Sequence, residues 1–324
     1  MKRQLLGLGL ALGLSISTAL AASTTLKSAQ GLGIHGLDAG HTFTVTLRQS
    51  TSQEQNGVTV TIDERLKPYL DVTLREGILH LGFDDLPREL QSSDKWCCPA
   101  TAEVTLSSID RLSTSGLASV KPQGSFSGAA REFSASGSSH IDPITVAVTG
   151  NHDTEVDLSG LSTITLTLQG ANSAEIDVSG NSSLTLDCGS VQELDIDVSG
   201  LSSASIKGNA TVVQTDCGGN SKLTLECGAT RTLTASTSGL SSATISGSAD
   251  RLETEASGNS QLNTQKLKTK AAVCDASGMS SISVWITESL DASASGNSSI
   301  RYRADGNIKQ TINTSGLSSV NSIQ

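Results

Sequence analysis

Ser-Gly pairs recur along the last two thirds of the chain, with glycines at 116, 137, 160, 180, 200, 239, 258, 278, 296 and 316, and Gly218-Gly219 fills the one vacant slot. Successive gaps are 21, 23, 20, 20, 19, 20, 19, 20, 18 and 20 residues. A period of this size is the mark of a solenoid, in which each coil hydrogen-bonds to its neighbours. Two residues before the glycines stand Leu158, Val178, Val198 and Cys217, and four before stand Val156, Ile176, Ile196 and Thr215. After them come Ile164 and Leu166, Leu184 and Leu186, Leu223 and Leu225. This is period-two alternation, and helical spacing is absent from the repeats. Aromatic residues make up 2% of the chain. The core is therefore built from Val, Ile, Leu, Ala and Thr in thin, similar layers. The pattern predicts an all-β chain whose residues 112–324 form a single-stranded parallel β-helix, a β-solenoid with a repeat of about twenty residues.

Glycine at a corner permits positive φ or close approach of stacked backbones. Gly160, Gly180, Gly200, Gly219, Gly239, Gly258, Gly278, Gly296 and Gly316 are accordingly expected to be structural turns. The neighbouring Ser and Asn can satisfy the turn's backbone groups locally. Turn chemistry accounts for these serines, because a nucleophile elbow needs Gly-x-Ser-x-Gly between strand and helix. The residue after the glycine alternates strictly: Leu161, Asn181, Leu201, Asn220, Leu240, Asn259, Met279, Asn297, Leu317. Either a forty-residue pair was duplicated, or one coil holds two units with Asn on one edge and Leu on the other. Ordinary solenoid repeats of about 20–29 residues favour one unit per coil.

The N-terminal part differs. Lys2 and Arg3, the apolar run LLGLGLALGLSI at residues 5–16 and Ala19-Leu20-Ala21 have the make-up of a signal peptide over residues 1–21, cleaved before Ala22. The apolar run is short for a membrane span, and no later stretch approaches one. The mature chain is thus expected to be soluble and exported, to the periplasm or the cell surface. Residues 22–111 read as a strand-rich region. Phe43, Val45 and Leu47, then Val58, Val60 and Ile62, then Leu79, Leu81 and Phe83 alternate with polar residues. Asn56-Gly57 and Glu76-Gly77 between such runs predict antiparallel strands with hairpin turns. The formal charge is −10, and loss of Lys2 and Arg3 takes it to about −12. Such a surface argues against nucleic acid, whose phosphates need Lys and Arg counter-charges.

The run DERLKPYLDVTLREGILHLGF, followed by VTLSSIDRLSTSGLASV and tandem SGxSS units, resembles the putative auto-transporter adhesin head GIN domain family. The resemblance covers roughly residues 31–320. It implies an exported bacterial protein with a right-handed parallel β-helix, and it carries no catalytic residues to this chain. The chain ends at SGLSSVNSIQ with no translocator barrel after the repeats, so delivery through an outer membrane by its own barrel is not expected.

Three residues before the glycines stand Asp157, Asp177, Asp197 and Asp216, and five before stand Glu155, Glu175 and Asp195. Parity puts both columns outward. Like charges on coils about 4.8 Å apart repel, and solvent with salt suffices to screen them. The sharper alternative is weak calcium binding by carboxylate and carbonyl oxygens. The glycine-rich nonapeptide of calcium-binding β-rolls is absent, and no metal ligands are assigned. A carbohydrate-active enzyme, a lyase or hydrolase on the same scaffold, would borrow these acids, but no Lys or Arg column flanks them.

Six cysteines in an exported chain permit disulfides. Cys188, Cys217, Cys227 and Cys274 read as small buried hydrophobes. Cys97 and Cys98 lie in a charged loop around Trp96 and Pro99, where a disulfide is favoured over metal for want of CxxC or CxxH spacing. His35, His41, His80, His140 and His152 show no ligand spacing. The sequence thus points to an exported binding or structural module with no catalysis expected, whose partners are glycans or surface proteins and which needs no cofactor. The rivals are the enzyme and a calcium-dependent envelope scaffold.

Overall fold

The computed structural model describes residues 15–17, 23–27, 33–51, 55–87, 90 and 100–323, the first two segments as backbone strands only. The leader and the Trp96-Cys97-Cys98-Pro99 loop lie outside the described residues, apart from Ser15–Ser17, which pairs antiparallel with residues 25–27. The chain divides into two compact units, Met1–Ala147 and Val148–Gln324.

In the second unit one repeat makes one coil. Thr154–Leu158 pairs in parallel with Ser173–Val178, Val156 against Ile176. Ser173–Val178 pairs in turn with the second half of Ser183–Val198, Ile176 against Ile196. Thr163–Gln169 pairs with the first half of that strand, Leu166 against Leu186. Each coil therefore carries two strand segments joined by two corners, one at the Ser-Gly step and an opposite one near Gly170 and Gly189. The stack continues in parallel through Ser203–Cys217, Lys222–Thr237, Ser242–Ala256, Gln261–Ala276 and Ser281–Ala294. Offsets of about twenty residues settle the coil length, because two repeats per coil would pair residues about forty apart.

Burial follows the sequence parity. Val156, Leu158, Ile164, Leu166, Ile176 and Val178 are buried, and their neighbours point out. Each apolar side chain removed from water in this way contributes about 1.5–3 kcal/mol relative to exposure. No large ring is needed, because a one-residue layer is filled by branched aliphatics from the coils on either side.

The first unit mixes directions. Phe43–Gln49 pairs in parallel with Ala100–Leu106 and with Ser119–Gln123. Gly36–Ala39 pairs in parallel with Ile78–Phe83 and Arg111–Thr114. Gly57–Asp63 is antiparallel to Ser23–Lys27 on one side and to Ala100–Leu106 on the other. Leu70–Arg75 and Ile78–Phe83 form a hairpin. The expectation of antiparallel strands holds for Gly57–Asp63 with both its neighbours and for the hairpin of Leu70–Arg75 with Ile78–Phe83. It is corrected for Gly36–Ala39 and Phe43–Gln49, whose neighbours run parallel as in the coils. Alternation fixes which way a side chain faces and is the same whether neighbours run parallel or antiparallel.

The two turn signals fare differently. Glu76-Gly77 closes the hairpin with φ of 50° and 77°, the geometry of a primed turn. Asn56-Gly57 closes no hairpin, since Ala100–Leu106 lies between Phe43–Gln49 and Gly57–Asp63. Asn56 is buried instead, its Nδ2 donating to Ser107 Oγ at 3.1 Å and its Oδ1 accepting from Ser50 Oγ at 2.9 Å. A buried amide with donors and acceptors both engaged is a strut, not a turn tip.

Candidate functional site

The Ser-Gly corner builds a ladder of its own. Gly160, Gly180, Gly200, Gly219, Gly239, Gly258, Gly278, Gly296 and Gly316 all have φ between 69° and 76°. A Cβ on Gly200 would stand 2.5 Å from the Gly180 carbonyl oxygen. From Gly180 onward the residue after each glycine donates its N–H to the glycine carbonyl one coil back, as Asn181 does to Gly160 and Leu201 to Gly180, both at 2.7 Å. The next serine is buried. Ser202 Oγ lies 2.9 Å from the Val178 carbonyl and also contacts that of Ser199. Ser221, Ser280 and Ser298 reach the equivalent carbonyls at 2.7, 2.9 and 3.0 Å. One hydroxyl bridges two coils, so these serines are committed to the backbone and are not free nucleophiles.

The residue between glycine and buried serine is left outside. Leu161, Leu201, Leu240 and Met279 are each 60–61% exposed, and Leu317 is 84% exposed. They share one column with Asn181, Asn220, Asn259 and Asn297, so Leu and Asn alternate from coil to coil. The separate Asn edge expected for two repeats per coil does not exist.

On one side of this corner stands the acidic face. Asp157, Asp177, Asp197 and Asp216 are in register on successive strands, and Ser236, Glu255 and Asp275 continue the column. Glu155, Glu175 and Asp195 form the adjacent column, followed by Gln214. Desolvation, then the charges of Asp216, Asp177 and Asp195, hold the Asp197 carboxyl above the usual carboxylate range. Lys207, the one cation between residues 148 and 220, registers with Asp187 on the other strand segment. Among the described residues no three His, Cys, Asp or Glu side chains are grouped to hold a metal ion.

On the other side lies a hydroxyl face. Thr165, Thr185, Ser205, Thr224 and Thr244 form its central column. A shallow groove of about 270 Å³ runs over it, lined among others by Thr165, Thr167, Thr185, Asp187, Ser205 and Lys207.

A third feature escaped the sequence reading. At the opposite corner a groove of about 470 Å³ is lined by Arg231, Asp250, Lys268, Lys270 and Glu288, together with small hydroxyl residues. Lys270 Nζ lies 2.7 Å from Asp250, and Lys268 Nζ lies 3.3 Å from Asp305. Lys268 and Arg303 approach the Trp285 ring to 5.2 and 4.6 Å. The available signal was KLKTK at 266–270 and RYR at 301–303, cations at strand period.

The family model described as putative auto-transporter adhesin, head GIN domain, matches residues 34–212 and 204–306. The chain belongs to that family. Among solved structures it is similar to a putative adhesin from Parabacteroides distasonis ATCC 8503, at 15% identity, TM-score 0.39, covering 93% of this chain and 96% of that one. A putative adhesin from Bacteroides fragilis NCTC 9343 follows at 13% identity and TM-score 0.29, with 93% and 97% covered. A putative lipid binding protein from Parabacteroides distasonis ATCC 8503 matches at 16% identity and TM-score 0.33, with 94% and 98% covered. None of the curated proteins matches.

In this head GIN domain protein the four described cysteines are free and buried. Cys188 Sγ lies 3.5 Å from the Lys207 carbonyl. Burial pushes the thiol of Cys188 up to about 11 and those of Cys217 and Cys274 up to about 12. Thiols so protonated are packing groups. Cys188 and Cys227 lie two coils apart, on either side of Gly208. Three histidines have local partners rather than one another: His80 with Asp38 at 3.1 Å, His35 with Asp110 at 3.3 Å and His140 with Ser119 at 2.9 Å. No helix of the described residues is long and apolar enough to cross a membrane.

Proposed function

We propose that this chain is an exported envelope or surface module that binds glycans through the hydroxyl face of its second unit. The observation that carries the reading is the column Thr165, Thr185, Ser205, Thr224 and Thr244, one hydroxyl per coil, the first four under an open groove. A hydroxyl both donates and accepts, as sugar hydroxyls do. Spaced about 4.8 Å apart along a rigid stack, such groups offer many weak contacts that add along an extended chain. The adhesin family supports a role in contacting surface molecules. Polysaccharide cleavage is the less favoured reading, because paired carboxylates for glycoside chemistry need a cleft, and Asp157 to Asp216 stand on an open face.

The test is binding to a panel of immobilised neutral and uronic-acid oligosaccharides, with Thr185→Arg and Ser205→Arg combined. Both side chains point outward, so the fold should persist while bulk blocks the column. Binding by the parent and a loss of about tenfold or more in the variant is the expected result. Equal binding by both, or turnover of an acidic polysaccharide by the parent, would overturn the reading.

A further inference from the structure

We propose that the second unit pairs side by side with a second copy of the chain, in parallel, along the Leu/Asn column at the Ser-Gly corner. The exposed large apolar side chains of this unit are Leu161, Leu201, Leu240, Met279, Leu317 and Ile312, and all but Ile312 stand in that column. Scattered exposed leucines need no explanation, whereas a row of them at fixed spacing marks a contact surface. The ridge is convex, which suits another ridge better than a small molecule.

Nine coils at about 4.8 Å give a ridge about 38 Å long. To reach the roughly 800 Å² per partner of a standard interface over that length the contact must be about 20 Å wide, so it takes in the columns on both sides of the corner as well as the ridge itself.

Symmetry then selects the direction. A two-fold axis along the ridge lays every position on its own twin, leucine on leucine and asparagine on asparagine. An asparagine amide carries donor and acceptor and so can pair with its copy. An antiparallel pair centred on Leu240 also matches like with like, but it sets the acidic column against itself, Asp197 facing Asp275 and Asp216 facing Glu255 of the second copy. The parallel pair sets that column against the one after the corner, which reads Thr163, Ser183, Ser203, Lys222 and Ser242. Asp216 then faces Lys222 of the second copy. Avoided repulsion and one new ion pair favour the parallel arrangement.

Sedimentation equilibrium of the mature chain tests the association. A monomer–dimer equilibrium is expected, weakened about 100-fold or more by Leu201→Glu combined with Leu240→Glu, since buried contact residues carry most of the affinity. Leu161→Cys under mild oxidation tests the direction. It should give a disulfide-linked dimer above the background that Cys97 and Cys98 set in the unsubstituted chain. A parent that stays monomeric, or a double variant that dimerises as well as the parent, overturns the proposal. So does a monomer that floats with phosphatidylcholine vesicles through this column, which would assign the leucines to a lipid surface. Cross-linking by Leu161→Cys mixed with Leu317→Cys, without self-linking of either, would overturn the parallel direction. The cross-link reads the contact even if the charged variant fails to fold.

Discussion

The two corners of each coil in the second unit obey different rules. At the Ser-Gly corner every coil has a glycine near φ +70°, and the coils from Gly180 to Gly296 share the same N–H to carbonyl bond to the coil before and the same buried serine. At the opposite corner Gly170, Gly189 and Gly247 have φ of 91°, 63° and 130°, and Leu267 stands opposite Gly247. The pairing register slips there, between Asp187 and Gly189, Gly208 and Val212, and Glu226 and Ala229. The difference teaches where the repeat is held and where it gives. A corner whose bonds run from coil to coil admits one geometry, because any change in one coil displaces its neighbour. The other corner absorbs the one or two residues by which repeat lengths differ, as a bulge does in any ladder.

The comparison breaks most visibly if the first corner tolerates a methyl. Gly200→Ala forces an L residue to φ +73° and places its Cβ 2.5 Å from a backbone oxygen that cannot move without moving the coil below. A loss of about 3 kcal/mol is expected from backbone and overpacking costs together. Urea unfolding reads it. A loss under about 1 kcal/mol would mean that the corner is not held as described.

Ser202→Ala sharpens the same point one residue on. The substitution removes a buried donor shared by two carbonyls, at an expected cost of about 1.5 kcal/mol. Ser203→Ala, next to it and exposed, should stay within about 0.5 kcal/mol. Equal effects for the two serines would remove the bridging role. Gly170→Ala, at the opposite corner, should cost about 1 kcal/mol. Its φ of 91° is unfavourable for alanine, yet the nearest atom to the added Cβ is 3.4 Å away. Gly200 and Gly170 giving the same loss would dissolve the distinction between the corners.

Much of this was legible in the chain, for a physical reason. A corner that repeats must be written the same way each time, so Gly160 to Gly316 and their serines showed as a period. Inward positions had to be apolar, so the alternation alone placed Ile176, Ile196 and Leu186 in the core. Pairing direction in the first unit was legible at the Glu76-Gly77 hairpin but not elsewhere, because Val45 and Val104 alternate alike in parallel and antiparallel neighbours. Asn56-Gly57 misled because a dipeptide that favours a turn does not report that a strand from forty residues away will insert beside it. The groove at Asp250, Lys268 and Lys270 was missed because an irregular corner has no period to read. The acids were found since they belong to the regular corner, three residues before its glycine.

That last contrast carries the smallest effect and a usable sign. The regular corner stacks like charges at one-coil spacing, whereas at the other corner Asp250 meets Lys270 at 2.7 Å. Because the Asp197 carboxyl is raised in the folded chain, the folded chain binds more protons than the unfolded one between the ordinary carboxylate value and the raised one. Stability must therefore fall as pH rises through that window. Asp197→Asn should flatten this part of the pH profile without lowering stability at neutral pH. Salt acts in the same direction, since screening relieves repulsion along the column. We propose that the melting temperature rises modestly and equally in sodium chloride and in calcium chloride of matched ionic strength. Replacing Asp157, Asp177 and Asp197 together with Asn should then be neutral or slightly stabilising. A bound ion would instead add stability that grows with the logarithm of calcium above its dissociation constant. A calcium-specific rise of several degrees in the parent, abolished in the triple variant, would turn this column from a cost of regular stacking into a metal site.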